Sequence, residues 1–354
     1  VNGEKMENQN YRIATPDLLR GLAVLFMVQV HVMELLVREE LYHGFWGKLS
    51  LFLGGVPAAP LFMVLMGWFL AWRQKSSSAM ALRGLKLFMG GILLNIGLNA
   101  TLLYRIWITK EYAYLDPWAY IFGADILPFA GLALLTIAAL KSILKENGWL
   151  WIAVGLLVAA VSPWVSNLFG SVLPDYLAAF LGSELFWSYF PLFPWLLYPL
   201  TGYGAMLLSQ KFSFRSSKSL WLLPVLFLGA FHYGWEISTE LERYYHHNLL
   251  FGLWALVFII LLAAAVHFWG KSFSQSRIGQ YLQWTGRNVT AFYVFQWLLI
   301  GNLGTIYYQN FGYSAWLTLS ILFILLSSGL VLIWKQRGKI RKMVYSPKQE
   351  GEKR

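Results

Sequence analysis

Residues 15–34 read TPDLLRGLAVLFMVQVHVME, and the spacing of four ionisable side chains inside this apolar stretch decides how the chain is read. Arg20 and His31 stand eleven residues apart. At about 100° per residue that is three turns, so both lie on one face of a helix. Asp17 and Glu34 each fall three residues outside the pair and extend one stripe: Asp17, Arg20, Val24, Met27, His31, Glu34. The rest of the helix is apolar enough to face lipid, whereas ionisable groups within a membrane turn to the protein interior and usually carry function.

Working outward, the whole chain has the same character. It is 58% hydrophobic and 13% charged, with a mean hydropathy of +0.53. Soluble domains are about a quarter charged. Apolar runs of helical-span length recur, at roughly 17–37, 57–73, 82–104, 118–140, 148–165, 188–210, 219–235, 248–270, 284–305 and 313–336. The segments predict an all-α polytopic membrane protein, a single bundle of about ten transmembrane helices. A polar, disordered N-terminus over 1–14 precedes the membrane domain (15–337), and a basic tail follows over 338–354. The 18 Trp residues suit the two membrane interfaces. With no cysteine, disulfides and thiolate metal sites are excluded.

Charge sets the expected orientation. With the N-terminus inside, twenty-three of the 28 Lys and Arg residues fall on the inner side. Only Arg38, Lys48, Arg105, Lys110 and Arg243 fall outside. The positive-inside rule therefore puts both termini in the cytoplasm and reads the net charge of +11 as a topology signal, not as a nucleic-acid surface. The basic tail also suits anionic lipid heads.

Two clusters of candidate residues follow. His31 lies about 16 Å along the helix from Arg20, past the middle of a hydrocarbon core about 30 Å thick. Asp125, about 10 Å into the segment 118–140, is expected at similar depth. Asn95 and Asn99 in the outer half of 82–104, and His232 near the outer end of 219–235, are expected to join it in a polar chamber. On the inner side Arg20, Arg73, Arg83, Lys86 and Arg287 stand at helix ends, and guanidinium groups suit phosphate, so Arg20, Arg83 and Arg287 are the candidates to bind the anionic cofactor. The plainer alternatives are a structural His31, Glu34 paired with a cation, Asp125, Asn95 and Asn99 as bonds between helices, and inner charges snorkelling to the interface.

The helix-1 text, Asp17-x-x-Arg20-Gly21-x-Ala23 with Arg20-x10-His31, resembles the transmembrane acyltransferase superfamily. That group includes the acyltransferase-3 proteins and the heparan-α-glucosaminide N-acetyltransferase family with its bacterial relatives. Further stretches are similar to the latter branch: His43-Gly44-Phe45-Trp46, then Pro60 to Gly67; Asp125-Ile126-Leu127; Tyr189-Phe190-Pro191-Leu192-Phe193-Pro194-Trp195, with Gly202 after it; and Gly286 to Tyr293. The resemblance implies a bacterial cytoplasmic-membrane enzyme that uses cytoplasmic acyl-CoA, usually acetyl-CoA, to acylate a glycan or amino sugar on the far side, without a metal. It marks Arg20 and His31 as the signature pair of one branch. In the other branch the proposed catalytic histidine stands in the first outer loop, near the place of His43. Either histidine is thus a candidate base, with Glu34 placed to orient His31, Asp125 as a further catalytic candidate, and Arg20 as a phosphate anchor. Imidazole, with an ordinary pKa near 6.5, suits removal of a proton from an attacking hydroxyl or ammonium. A proton-coupled secondary transporter is the alternative, weakened by the lack of an internal repeat. Oligomeric state is left open.

Overall fold

The computed structural model describes residues 14–211 and 222–345, and all regular structure among them is helical. The stripe helix is α1 (Ala14–Leu36), with Pro16 and Asp17 in a first turn that suits both. A short 3₁₀ turn (Glu39–Leu41) leads to α2 (Phe45–Gly55) and α3 (Ala59–Arg73), which together form one apolar stretch, Phe45–Arg73, turned at Val56–Ala58. The span expected from residue 57 thus begins earlier, with the Phe45-Trp46 motif at its head. Then come α4 (Ser77–Leu98), capped by the Ser76 hydroxyl, and α5 (Ala100–Tyr104), which runs into a π-turn (Arg105–Thr109).

The segment expected as one helix over 118–140 is broken. A short α6 (Pro117–Ile121) stops, four residues run irregularly, and α7 (Ile126–Leu144) starts afresh with Asp125 as its N-cap. Next are α8 (Gly148–Val172), α9 (Asp175–Leu181), α10 (Leu192–Trp195), α11 (Leu197–Lys211), α12 (Leu222–Gly229), α13 (Phe231–Ser238) and α14 (Leu241–Tyr245). The chain closes with α15 (Leu249–Phe273), α16 (Arg277–Arg287), α17 (Val289–Ile306) and α18 (Tyr313–Tyr345).

Eight of the described stretches are long and apolar enough to cross a membrane. The two other expected segments are present in a different form. Residues 188–210 become the short α10 and the 15-residue α11, and α12 and α13 are interrupted at Ala230. The reason is packing. α11 is buried along Leu197–Gly204, held between α3 and α8. A Cβ at Gly67 would stand 1.9 Å from the Pro199 carbonyl oxygen, and one at Gly202 would stand 2.1 Å from that of Val64. Helices without side chains at their crossing touch backbone to backbone, the usual way to associate in lipid.

A second such crossing fixes the N-terminal end of α1. A Cβ at Gly21 would meet the Leu282 carbonyl at 2.0 Å, and one at Gly286 the Asp17 carbonyl at 1.9 Å. α16 therefore lies directly on the start of α1. Further along α1, Gln29 clamps its neighbours. It accepts from the Ser50 hydroxyl at 2.6 Å and donates to the Ser50 carbonyl at 3.0 Å, while its own carbonyl accepts from Trp316 Nε1 at 3.0 Å. Buried polar groups in an apolar surround need such partners. α18 continues to Tyr345, so the first residues of the expected tail are helical; the expected N-terminal segment, but for Ala14, and residues 346–354 lie outside the described residues.

Candidate active site

α1 and α17 run side by side, and beside them opens a cavity of about 590 Å³. α4, the α6–α7 break, the segment 186–190, α14 and the turn between α2 and α3 also line it. Five of the expected residues converge on it: His31, Glu34, Asn95, Asn99 and Asp125.

His31 is fixed by α17. Its ring lies on Trp297 with centroids 4.0 Å apart, and its Nδ1 faces the side-chain amide of the fully buried Gln296. The amide nitrogen is 3.0 Å and the amide oxygen 3.2 Å from Nδ1. One end can donate to a bare Nδ1 and the other can accept from Nδ1–H, so this partner serves neutral and protonated imidazole alike. The orienting role that the sequence gave to Glu34 is therefore filled by Gln296. The Glu34 carboxylate makes no hydrogen bond or ion pair with any described residue, so the cation expected under the plainer alternative is not found.

Asp125 is tied down at both oxygens. Oδ1 accepts from Ile126 N at 2.6 Å, and Oδ2 accepts from the Tyr293 hydroxyl at 2.7 Å, joining the head of α7 to α17. Asn95 and Asn99 hold the break open. Asn95 Nδ2 donates to the carbonyls of Ile121 and Gly123 at 3.1 and 2.9 Å, and Asn99 Nδ2 to those of Asn95 and Tyr120 at 2.9 and 3.3 Å. Their amide nitrogens thus act as bonds between segments, as the plainer alternative holds. Two polar groups on the cavity wall remain without partners, Trp187 Nε1 and the Tyr244 hydroxyl. No Lys or Arg lines the cavity among the described residues.

Two expected residues stand elsewhere. His232 is 88% exposed, with Nε2 3.4 Å from Glu236, and does not reach the chamber. His43 is exposed in the turn before α2 and does not line it either. His43 sits in the turn ahead of α2, and His232 lies on the face of α13 opposite its buried Gly234, Ile237 and Ser238.

At the N-terminal end of α1, the α1–α16 crossing gathers a second cluster. Asp17, 3% exposed, lies between two guanidinium groups, with Arg287 Nε at 3.1 Å and Arg20 Nη1 at 3.8 Å. Arg20 also stacks over the Phe69 ring at 4.1 Å. Two cations around one carboxylate leave a net positive, partly exposed pair, which fits an anionic phosphate. Arg83, also expected there, is instead exposed on α4 with no ion pair or hydrogen bond to a described residue.

Sequence reasoning missed Gln296, Trp297, Tyr244 and Tyr293. Gln296 had a signal, a lone amide in an apolar run, but the tryptophan and tyrosines resemble the many interfacial aromatics. His247, given no role from sequence, is buried among Trp195, Tyr198, Tyr244 and Phe251, away from the cavity wall. Burial pushes its pKa down to about 4.

The family model described as heparan-alpha-glucosaminide N-acetyltransferase, catalytic, matches residues 12–233, well over half of the chain. No curated protein and no solved structure matches.

Proposed function

Since the chain belongs to the heparan-alpha-glucosaminide N-acetyltransferase catalytic family, and so to a family of acetyltransferases, we propose that it moves an acetyl group from acetyl-CoA to a sugar or amino sugar within this chamber. The donor enters from the cytoplasmic side, where Arg20 and Arg287 hold a phosphate. The acceptor enters from the outer side. The observation that carries this reading is His31, held by Gln296 and Trp297 on the wall of a cavity with unpartnered polar groups beside it.

Each part of the chemistry has a residue to perform it. Neutral His31 takes the proton of the attacking hydroxyl or amine as the new bond to the acetyl carbon forms. The carbon–sulfur bond breaks, and the thiolate takes a proton back from the imidazolium. Gln296 supports the ring through both states because its amide can donate or accept. His31 serves here in place of His43, which is exposed and off the cavity wall.

Purified protein supplied with labelled acetyl-CoA and methyl glucosaminide tests the proposal. Label should move to the sugar, and His31→Ala should abolish transfer while the variant still elutes as folded protein. Full transfer in both His31→Ala and His43→Ala would overturn the mechanism. Proton-driven uptake of solute without transfer would favour the transporter alternative.

A further inference from the structure

We infer that Glu34 is a specificity-determining residue, its carboxylate docking the ammonium group of the acceptor; the inference rests on the acetyl-transfer reading above.

Glu34 stands one turn beyond His31 on the same face of α1, so a group bound by one is within reach of the other. It is the free carboxylate of the chamber. The oxygens of Asp125 are engaged by Ile126 N and the Tyr293 hydroxyl, whereas Glu34 has no partner among the described residues. A carboxylate in an apolar surround without a cation carries a desolvation cost that a bound cation offsets. No lysine or arginine on the wall supplies that cation, whereas a ligand ammonium would, and its charge would favour the ionised form of Glu34. Asp125 adds a second acidic group to the same chamber, which offers a carboxylated sugar no cation to pair with.

The Tyr244 hydroxyl is an independent pointer. Tyr244 is 4% exposed, lines the cavity, and has no hydrogen-bond partner. With Trp187 Nε1, also unpartnered, it offers the hydrogen bonds that the hydroxyls of a pyranose need. One carboxylate with neighbouring neutral donors is the set that an amino sugar fills and a neutral sugar leaves half unused.

The reaction then balances as follows. The docked R–NH3⁺ passes one proton to His31, and the nitrogen lone pair forms the amide C–N bond. The thioester C–S bond breaks, the thiolate takes one proton, and the second proton lost from nitrogen leaves to solvent. The products are the acetamido sugar, free thiol and one proton.

The test compares methyl glucosaminide, methyl glucoside and methyl glucuronide as acceptors for the purified full chain with labelled acetyl-CoA. Wild type should favour the amine over the neutral sugar by at least about tenfold in kcat/KM, with the glucuronide weakest, as a lost charge-assisted contact implies. Glu34→Gln should raise the amine KM by about tenfold or more and leave the acetyl-CoA KM in place, and Glu34→Asp should recover part of the loss. Equal use of amine and hydroxyl by wild type, a measurement independent of any variant, would overturn the inference and leave acetyl transfer standing. So would an unchanged amine KM in Glu34→Gln. Transfer to none of the three would overturn acetyl transfer itself, and the inference with it.

Discussion

Two histidines of this protein are packed among aromatic rings, and their surroundings differ in one respect. His247 is fully satisfied. Its Nδ1 donates to the Tyr244 carbonyl at 2.8 Å, its Nε2 accepts from the Tyr198 hydroxyl at 2.9 Å, and Trp195 meets it edge-on at 4.9 Å. His31 keeps one nitrogen uncommitted beside a cavity whose wall carries unpartnered donors and a free carboxylate. Burial and aromatic contact are common to both. What separates a structural histidine from a candidate base is the hydrogen-bonding capacity left over around it.

The largest effect that sharpens this contrast is on rate. His31→Ala should lower kcat by about 10²- to 10⁴-fold, the range of general-base catalysis, with the thermal midpoint little changed. His247→Ala should do the reverse, keeping kcat within about threefold while destabilising the fold by about 1–3 kcal/mol through two orphaned partners, read by thermal unfolding in detergent. A large loss of kcat in His247→Ala at unchanged stability would break the comparison.

Next in size is the inner cluster. Arg20→Ala should raise the acetyl-CoA KM by about tenfold, as expected for one lost charge-assisted phosphate contact, while Arg83→Ala should leave it unchanged. Initial-rate kinetics with varied acetyl-CoA checks both. Gly286→Leu should destabilise the α1–α16 crossing by about 1–3 kcal/mol or more, since its side chain must displace the Asp17 backbone. Chemical or thermal unfolding measures that loss.

The smallest effect is on pH dependence. The pKa of His247 falls from its ordinary 6.5 to about 4 in the folded chain, so between those values the unfolded chain binds more protons than the folded one. Its contribution to stability is full above pH 6.5 and is lost as the pH falls through that window. Thermal midpoints at pH 7 and pH 5 should therefore differ more in wild type than in His247→Gln. An equal difference would place the acid sensitivity elsewhere.

How much of this was legible in the sequence depends on the range of the interaction. The α1 stripe was legible because helical geometry alone aligns Asp17, Arg20, His31 and Glu34. His31 and Glu34 line one cavity, and Asp17, given no site from sequence, lies between Arg20 and Arg287. The break before Asp125 was not, because the residues across it are as apolar as a continuous helix. It exists through Asn95, which binds carbonyls near thirty residues away in sequence. The pairing of His31 with Gln296 spans 265 residues, a separation that no local period encodes, and it falls beyond the stretch matched by the family. Arg83 and Arg287 look alike in sequence, each at a helix end expected on the inner side. They part because Gly286 lets the backbone of α16 press onto Asp17, while the first turns of α4 leave Arg83 exposed.

The most direct test of the central claim uses the full chain in sealed proteoliposomes, with labelled acetyl-CoA on one side and methyl glucosaminide on the other. Wild type should acetylate the sugar across the bilayer with release of free thiol on the donor side, and His31→Ala vesicles with equal protein content should not. Transfer at equal rates by both, or none by folded wild type, would contradict acetyl transfer at the His31 chamber.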